Sequence, residues 1–415
     1  MIGLSMSGKK DNIIVDAIWI GLSHFSSIIP IVTLRNISQI LGPNGFGEVA
    51  LALAYSAYMS ILIDYGFTLY GSKQVAAIGS NNAEQNKIYW AIFNAKLFLY
   101  LIGIVIGSFI IYLSNKEGYF LLFIAIFFSA ASVFYQQWHF QGLSRMRDTI
   151  IPLYFYRTLP LLISFFYINV EINKIFCIFL ILIPNLMSAL HCFMIRGKYG
   201  VMGYRLDYSS SKKVIRDSFV YFISSLSISF YGVYTIMVAG IYLSKDAIGI
   251  YVAAERLKFV FQSLLTPFSQ AQFIYLSKMG GVTSNFIRVF LRFGLVQICS
   301  SLLLASLLWI YSDYIINILY GDDYVSAAFI LKWLCGGIVL VSISNLTGVL
   351  GLVAAGDTKI YSLVLAVVGI ATIPFAFFLI STYKNNGLIW AVLSSELLVA
   401  VLMTLGWKYY QRKNK

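Results

Sequence analysis

Charge is scarce in this sequence. Asp, Glu, Lys and Arg supply 11% of its 415 residues, against about a quarter in a typical soluble domain. With 59% hydrophobic residues beside that shortage, a soluble enzyme and a disordered chain are both excluded. Cysteine is thin as well. Cys177, Cys192, Cys299 and Cys335 all sit in apolar runs, at spacings that fit no metal motif. A disulfide-stapled secreted domain is therefore excluded, and the four read as small core residues. The only histidines, His24, His139 and His191, fall on three different expected helices. H-E-x-x-H, G-x-S-x-G and G-x-G-x-x-G are absent. Gly3 to Lys9 fits G-x4-G-K, but Lys10 stands where a phosphate loop needs Ser or Thr, and no strand precedes it. The expectation is no enzyme, no cofactor, no metal and no built-in ATPase.

What the chain does have is long apolar segments. A spanning helix needs about 20 residues, and windows of that kind recur near 12–33, 46–68, 88–112, 119–141, 150–169, 174–195, 217–240, 248–275, 286–311, 325–350, 361–381 and 387–407. The runs are continuous rather than alternating, which excludes a barrel. The fold class expected is an all-α polytopic membrane protein of about twelve helices. Lys9 and Lys10 before the first apolar stretch look like a signal peptide, but no small-residue cleavage site leads into a soluble domain, so the stretch reads as the first span.

The formal charge of +13 is mostly topology. With the N-terminus inside, 18 of the 30 Lys and Arg fall in cytoplasmic segments. Only Arg35, Lys116, Lys174, Lys245 and Lys384 fall outside. The positive-inside rule then places both termini in the cytoplasm, and nucleic acid is not needed to explain the charge. Glu117, Glu171, Asp246, Asp313, Asp322 and Asp323 lean to the outer loops.

The longest polar stretch, Arg196 to Arg216, lies at mid-chain. It suggests a six-helix lobe over 1–200, a cytoplasmic loop over 201–216 and a second lobe over 217–415. Two internal echoes agree. Gly142-Leu143 with Asp148-Thr149 returns as Gly351-Leu352 with Asp357-Thr358, and Phe46-Gly47-Glu48-Val49-Ala50 returns as Ile248-Gly249-Ile250-Tyr251-Val252. Halves with an even helix count are parallel repeats about an axis along the membrane normal, with a substrate path expected between them. Gly103 and Gly107 form a G-x-x-x-G, expected as a helix-packing face.

The charged residues within the expected spans include ten of interest: Lys96, Arg157, Arg256, Lys258, Arg288, Arg292 and Lys332, with Asp64, Glu255 and Glu396. Each costs about 2.5–3.5 kcal/mol at the bilayer centre on insertion scales, so most must be paired, snorkelling or lining a wet cavity. Lys96, Arg288, Arg292 and Lys332 lie near span ends, where snorkelling suffices. The others need another explanation. In the eighth span Tyr251, Glu255, Lys258, Gln262 and Ser269 make one polar stripe at helical spacing, which should face the bundle interior. A Glu255–Lys258 ion pair at i,i+3 is one reading of it. His24, Ser27 and Arg35 share a face of the first span, and Ser218, Tyr221, Ser225 and Ser229 a face of the seventh. Serines in spans are more often packing residues than ligands. The polar turn Gln136-Gln137-Trp138-His139 with Gln141 is equally explained as an interfacial anchor in an aromatic belt. Among the ten just named, basic residues outnumber acidic ones 7 to 3. A cavity of that sign suits an anion such as a lipid-linked diphosphate.

At these positions the chain resembles the O-antigen flippases (Wzx type), of the polysaccharide transporter family in the multidrug/oligosaccharidyl-lipid/polysaccharide exporter superfamily. The residues that carry the resemblance run almost end to end: Leu41-Gly42-Pro43 with Phe46-Gly47; Asp64-Tyr65-Gly66-Phe67; Gln137-Trp138 with Gln141-Gly142-Leu143; Tyr251 with Ala254-Glu255-Arg256-Leu257; Gln262-Ser263-Leu264-Leu265 with Pro267 and Ser269-Gln270; Tyr320-Gly321 with Tyr324; Ser344-Asn345; and Ser395-Glu396. The resemblance implies twelve helices in two pseudo-symmetric six-helix lobes in a bacterial inner membrane. It also implies movement of undecaprenyl-diphosphate-linked oligosaccharide from the cytoplasmic to the periplasmic leaflet by alternating access. A polysaccharide polymerase and a chain-length regulator are implied as partners.

On this reading Arg256, helped by Arg35, Arg157 or Lys258, holds the diphosphate. Tyr251, Gln262, Ser225, Ser229, Gln137, Gln141 and Asn345 meet the glycan, and Asp64, Glu255 and Glu396 are candidates for ion coupling. A cation-coupled drug exporter of the same superfamily is the first rival; it would want an acidic cavity. A glycan polymerase is the second; it should carry a large outer loop, and none is expected here.

Overall fold

A computed structural model of the chain describes residues 28–413 apart from 80, 115–118, 167–172, 231 and 280. Every regular element among the described residues is helical, as a bilayer demands when water cannot satisfy backbone groups. Most of the expected first span, with His24 and Ser27, lies outside the described residues, as does the reading of Lys9 and Lys10 as its flank. Eight of the described helices are long and apolar enough to cross a membrane.

Two of those helices are divided by a residue of non-helical geometry. Helix α1, Ile28–Asp64, has 37 residues and breaks at Gly42 (φ 63°), just before Pro43. At 1.5 Å per residue it would measure about 55 Å, against about 30 Å of hydrocarbon. The break therefore separates the end of the first expected span from the second. Arg35, expected in the outer loop, lies inside this helix, about two turns before the break. After α2 (Phe67–Ile78), α3 (Asn82–Ser114), α4 (Tyr119–Phe128), α5 (Ala131–Phe134), α6 (Gln137–Gly142), α7 (Arg147–Phe166) and α8 (Lys174–Ile195) complete the first half.

The second half holds α9 (Tyr208–Phe230), α10 (Val233–Tyr242), α11 (Lys245–Ser263), α12 (Thr266–Ser277), α13 (Ser284–Tyr320), α14 (Val325–Asn345) and α15 (Thr358–Lys413). The seventh and eighth expected spans are thus interrupted, at 232 and 264–265, and α9 and α11, with four and five charged residues, do not stand among the eight. Helix α15 joins the last two spans through Lys384, at φ 52°. A π-helix, Leu346–Val353, continues α14.

Contacts divide the chain into two compact units. One comprises the described part of Met1–Ile40 with Leu51–Leu226; the other comprises Leu41–Ala50 with Ser227–Lys415. The first is centred on an aromatic core in which Tyr89, Trp90, Phe93 and Trp138 are buried with Phe67 and Val75. The second is centred on Phe286, Phe290, Leu350, Met403 and Trp407.

Several side chains depart from expectation. Trp138 and His139 are fully buried, with Tyr89 5.9 Å and 5.3 Å away between ring centroids. They are core, not interfacial anchors, because the chain breaks at Tyr135 and Gln136 turn this short helix inward. Cys177, Cys192 and Cys335 are buried as expected, but Cys299 is exposed on α13. Gly103 and Gly107 do form a packing face, against Met59 and Ile126.

The ten-residue segment that joins the second unit explains one of the sequence echoes. Residues 43–50 cross the start of α11 with glycine at the contact. A Cβ on Gly47 would run into the Lys245 carbonyl, and one on Gly249 into the Pro43 carbonyl. Each would also come within 3.0 Å of the other glycine's nitrogen. Gly47 and Gly249 are offset by the same 202 residues as Pro43 and Lys245. The contact is therefore reciprocal, as in an isologous interface. Asn44 and Asp246, at that offset too, hydrogen-bond to each other at 2.9 Å, with the Asn44 amide donating. Lys245 adds an ion pair to Glu48 at 2.5 Å.

Candidate functional site

In the first unit three chain breaks cluster around polar side chains. Helix α1 ends at Asp64 because Tyr65 (φ 47°) and Gly66 (φ 74°) leave helical geometry. Only glycine fits position 66: a Cβ there would lie 2.6 Å from Tyr221 Cβ and 2.7 Å from its carbonyl carbon. The turn returns Thr68 onto the Asp64 carboxylate, its hydroxyl donating at 2.8 Å and its backbone N–H at 3.4 Å. Two further interruptions, at 129–130 and 135–136, break the fourth span. Irregular backbone within a membrane is tolerated where it is buried in protein or lines a wet cavity.

A cavity does lie there. A space of about 350 Å³ is lined by Ser60, Asp64, Thr68, Lys96, Tyr135, Gln137 and Ser225, among others. Ser60 and Tyr135, with Ser132, also line a second space of about 200 Å³ that holds Arg157 with Ser56, Asn185 and Ser188. Sites for small ligands typically occupy about 300–1,000 Å³. The two spaces carry Lys96, Arg157 and Asp64, and so one net positive charge.

Lys96 is the surprise. A lysine near a span end should snorkel, yet this one is 1% exposed. Its ammonium donates to Asp64 Oδ1 at 2.9 Å and to the Ser132 carbonyl at 3.3 Å. The Asp64 side chain is 30% exposed, against 2% for that of Lys96. The pair is therefore asymmetric. Asp64→Ala should lower stability by about 3–5 kcal/mol, because it strands a buried ammonium. Lys96→Met should do less, since Asp64 keeps Thr68 and partial hydration. Thermal unfolding in detergent compares the two, and equal losses would contradict the asymmetry.

In the second unit the expected stripe does face inward: Tyr251 and Lys258 on α11 and Ser269 on α12 are all buried. The ion pair is not the expected one. Lys258 donates to Glu396 on α15, not to Glu255. Gly337 leaves the room, since a Cβ there would sit against the Glu396 carboxylate and 2.9 Å from Lys258 Nζ. Among the described residues the other Glu396 oxygen, the Tyr251 hydroxyl and Arg256 Nε have no hydrogen-bond partner. Asn345 accepts from the Ser269 hydroxyl and, at 3.4 Å, from the Gln297 amide.

The remaining candidates are dispersed. Arg35 is half-buried on α1 and donates to Asn36 Oδ1 at 3.0 Å. Gln141 is half-buried at the end of α6, where its carbonyl accepts from the Ser144 amide. Gln262 is half-buried at the 264–265 break and accepts at its carbonyl from the Leu265 amide. Ser229 is buried in the second unit. Of the predicted residues the structure thus brings Asp64, Gln137 and Ser225 to one cavity and Arg157 to the adjoining one. It brings Lys258 to Glu396. Sequence reasoning missed Ser56, Ser60, Ser132, Tyr135, Asn185 and Lys96. Ser56, Ser60 and Asp64 follow one another at i,i+4, a polar stripe that could have been read.

Comparison with known proteins places this geometry. The sequence profile described as "Polysaccharide biosynthesis protein" matches residues 13–279. A protein of Escherichia coli (strain K12), named "Putative O-antigen transporter", is 24% identical over 394 residues, covering 94% of each chain. Among solved structures, the lipid II flippase MurJ in an inward closed conformation superposes with a TM-score of 0.75 at 14% identity, over 95% of this chain and 87% of that one. An inward-facing multidrug resistance MATE transporter of the MOP superfamily superposes with a TM-score of 0.73 at 12% identity, over 94% and 95%. At such identities the structures establish the fold.

Proposed function

The chain belongs to the polysaccharide biosynthesis protein family, is a multi-pass membrane transporter with the MOP-superfamily fold rather than an enzyme, and on that premise we propose that it flips undecaprenyl-diphosphate-linked oligosaccharide, an O-antigen or related repeat unit. Movement runs from the cytoplasmic to the periplasmic leaflet of a bacterial inner membrane, with both termini cytoplasmic. The observation that carries this reading is the polar cavity of the first unit, with its net positive charge and its interrupted helices. Broken helices at such sites present backbone groups to anionic substrates in other transporters.

The residues divide the work by chemistry. Arg157, beside Ser56, Ser60 and Asn185, offers a guanidinium and neutral donors to the diphosphate. Charge-assisted hydrogen bonds of that kind are about twice as strong as neutral ones. Thr68, Gln137 and Ser225 face the adjoining space and suit glycan hydroxyls. Arg256 is the candidate cation of the second unit, while Lys258 is held by Glu396. Asp64, Glu255 and Glu396 stay the candidates for ion coupling. Each state's affinity for substrate and ion sets the direction of transport.

The test is complementation of a strain lacking its flippase. The wild-type chain should restore long surface polysaccharide. Arg157→Ala and Arg256→Ala should each cut export at least about tenfold, the loss of one charge-assisted contact, and Lys substitutions should keep more. Lipid-linked units should accumulate on the cytoplasmic side. Normal export by Arg157→Ala, at normal protein level, would remove that cavity from the path. Efflux of cationic dyes by the wild-type chain would favour the drug-exporter reading instead.

A further inference from the structure

A larger cavity lies outside the polar sites. It is a groove of about 770 Å³ between α13 and α14. Its floor is made of small residues, Ala305, Cys335 and Gly336. Trp309 and Trp333 wall it and are each more than half exposed. A Cβ on Gly336 would meet nothing within 4 Å, so the groove is open space at that point.

Depth in the bilayer follows from the charges on α13. Between Arg292 and Asp313 the helix carries twenty uncharged residues. Twenty-one steps of 1.5 Å make about 31 Å, the thickness of the hydrocarbon layer. Asp313 thus stands at one headgroup boundary, on the side where a short connection joins α13 to α14. Lys332, which also lines the groove, donates to Asp313 at 2.6 Å. The groove runs from this ion pair inward to Leu302, about 16 Å along the helix axis. Its course matches a lipid chain hanging from a headgroup at that level.

The charge pair says which headgroup. An anionic lipid would gain Lys332 but meet the Asp313 carboxylate. A zwitterion with phosphate and ammonium side by side satisfies both, phosphate on Lys332 and ammonium on Asp313. The Asp313 side chain is 68% exposed and that of Lys332 32%. Such a surface pair is worth only about 0–1 kcal/mol by itself, so exchanging it for two contacts to a ligand is inexpensive. We propose that this groove is a binding site for one phosphatidylethanolamine-type phospholipid, its headgroup on Asp313 and Lys332 and one acyl chain along Ala305 and Gly336. The site is separate from the polar cavity and does not depend on the substrate proposed above.

Native mass spectrometry of the intact protein tests it, with phosphatidylethanolamine, phosphatidylglycerol and a polyprenyl phosphate added in turn. One phosphatidylethanolamine should be retained at least about tenfold better than either anionic lipid, the margin of one charge-assisted contact. The Asp313→Ala/Lys332→Ala variant should lose that preference. Gly336→Leu, which fills open space on a helix that tolerates leucine well, should lose the retained lipid while leaving the melting temperature unchanged. Equal retention of the three lipids, preference for polyprenyl phosphate, or unchanged retention in Gly336→Leu would each overturn the assignment.

Discussion

Cutting Glu396 back to alanine should destabilise the protein by about 3–5 kcal/mol, the usual result of removing one partner from a buried ion pair. Lys258 is 6% exposed and packs beside Gly337. Lys258→Ala should be nearly as severe, because the Glu396 side chain is itself only 10% exposed. The informative variant is the double one. With Lys258→Met and Glu396→Met together, neither charge is stranded, and the methylene stems that fill the space beside Gly337 are kept. Buried pairs replaced in this way are often neutral or even stabilising. The double variant should therefore recover most of what either single variant loses, as read by thermal unfolding in detergent and by protein level in the membrane. A double variant no better than the singles would mean that the pair specifies the fold rather than merely neutralising itself. Export needs separate measurement, since Glu396 is also an ion-coupling candidate: a stable double variant that no longer exports would assign the pair to function.

Gly47→Ala and Gly249→Ala should each lower stability by about 3 kcal/mol, the upper end of ordinary overpacking. In both the new methyl meets a backbone carbonyl, which cannot turn aside as a side chain would. The two losses should not add. Once the first methyl has pushed the helices apart, the second enters space already opened, and contacting sites of this kind couple by about 0.5–3 kcal/mol. The double variant should resemble either single one. Full additivity would show that each methyl is accommodated independently and that the two glycines do not share one contact. Asn44→Ala should be milder, because its bond to Asp246 is exposed.

Much of this was legible in the sequence, and what was not has physical causes. Hydropathy is a local property, so eleven of the twelve expected spans correspond to described helices, and only the start of the series lies outside them. The α11 stripe was readable from spacing alone, because a membrane leaves a polar face nowhere to go but inward. Pairing is not local. Lys96 lies 32 residues from Asp64, and Lys258 138 from Glu396. The nearer carboxylate, Glu255, offered a plausible wrong partner. Breaks were legible where glycine marks them, as at Gly66, and hidden where it does not. Nothing in Ser129-Ala130 or Tyr135-Gln136 forbids a helix. There the surrounding packing decides, and with it where Gln137, Trp138 and His139 point.

The reciprocal crossing of Gly47 and Gly249 bears on how such a chain arises. A contact in which residue i meets j′ while j meets i′ is the one a two-fold homodimer makes. In an ancestral half-length protein a single glycine would have occupied both places. Every change at that codon would then have been felt twice. Fusion into one chain frees the two copies to diverge, and the Glu48–Lys245 pair records that freedom. Its counterparts at the 202-residue offset are Ile250 and Pro43, which cannot form an ion pair. The glycines and the Asn44–Asp246 bond preserve the older symmetry, while the salt bridge beside them belongs to one side only.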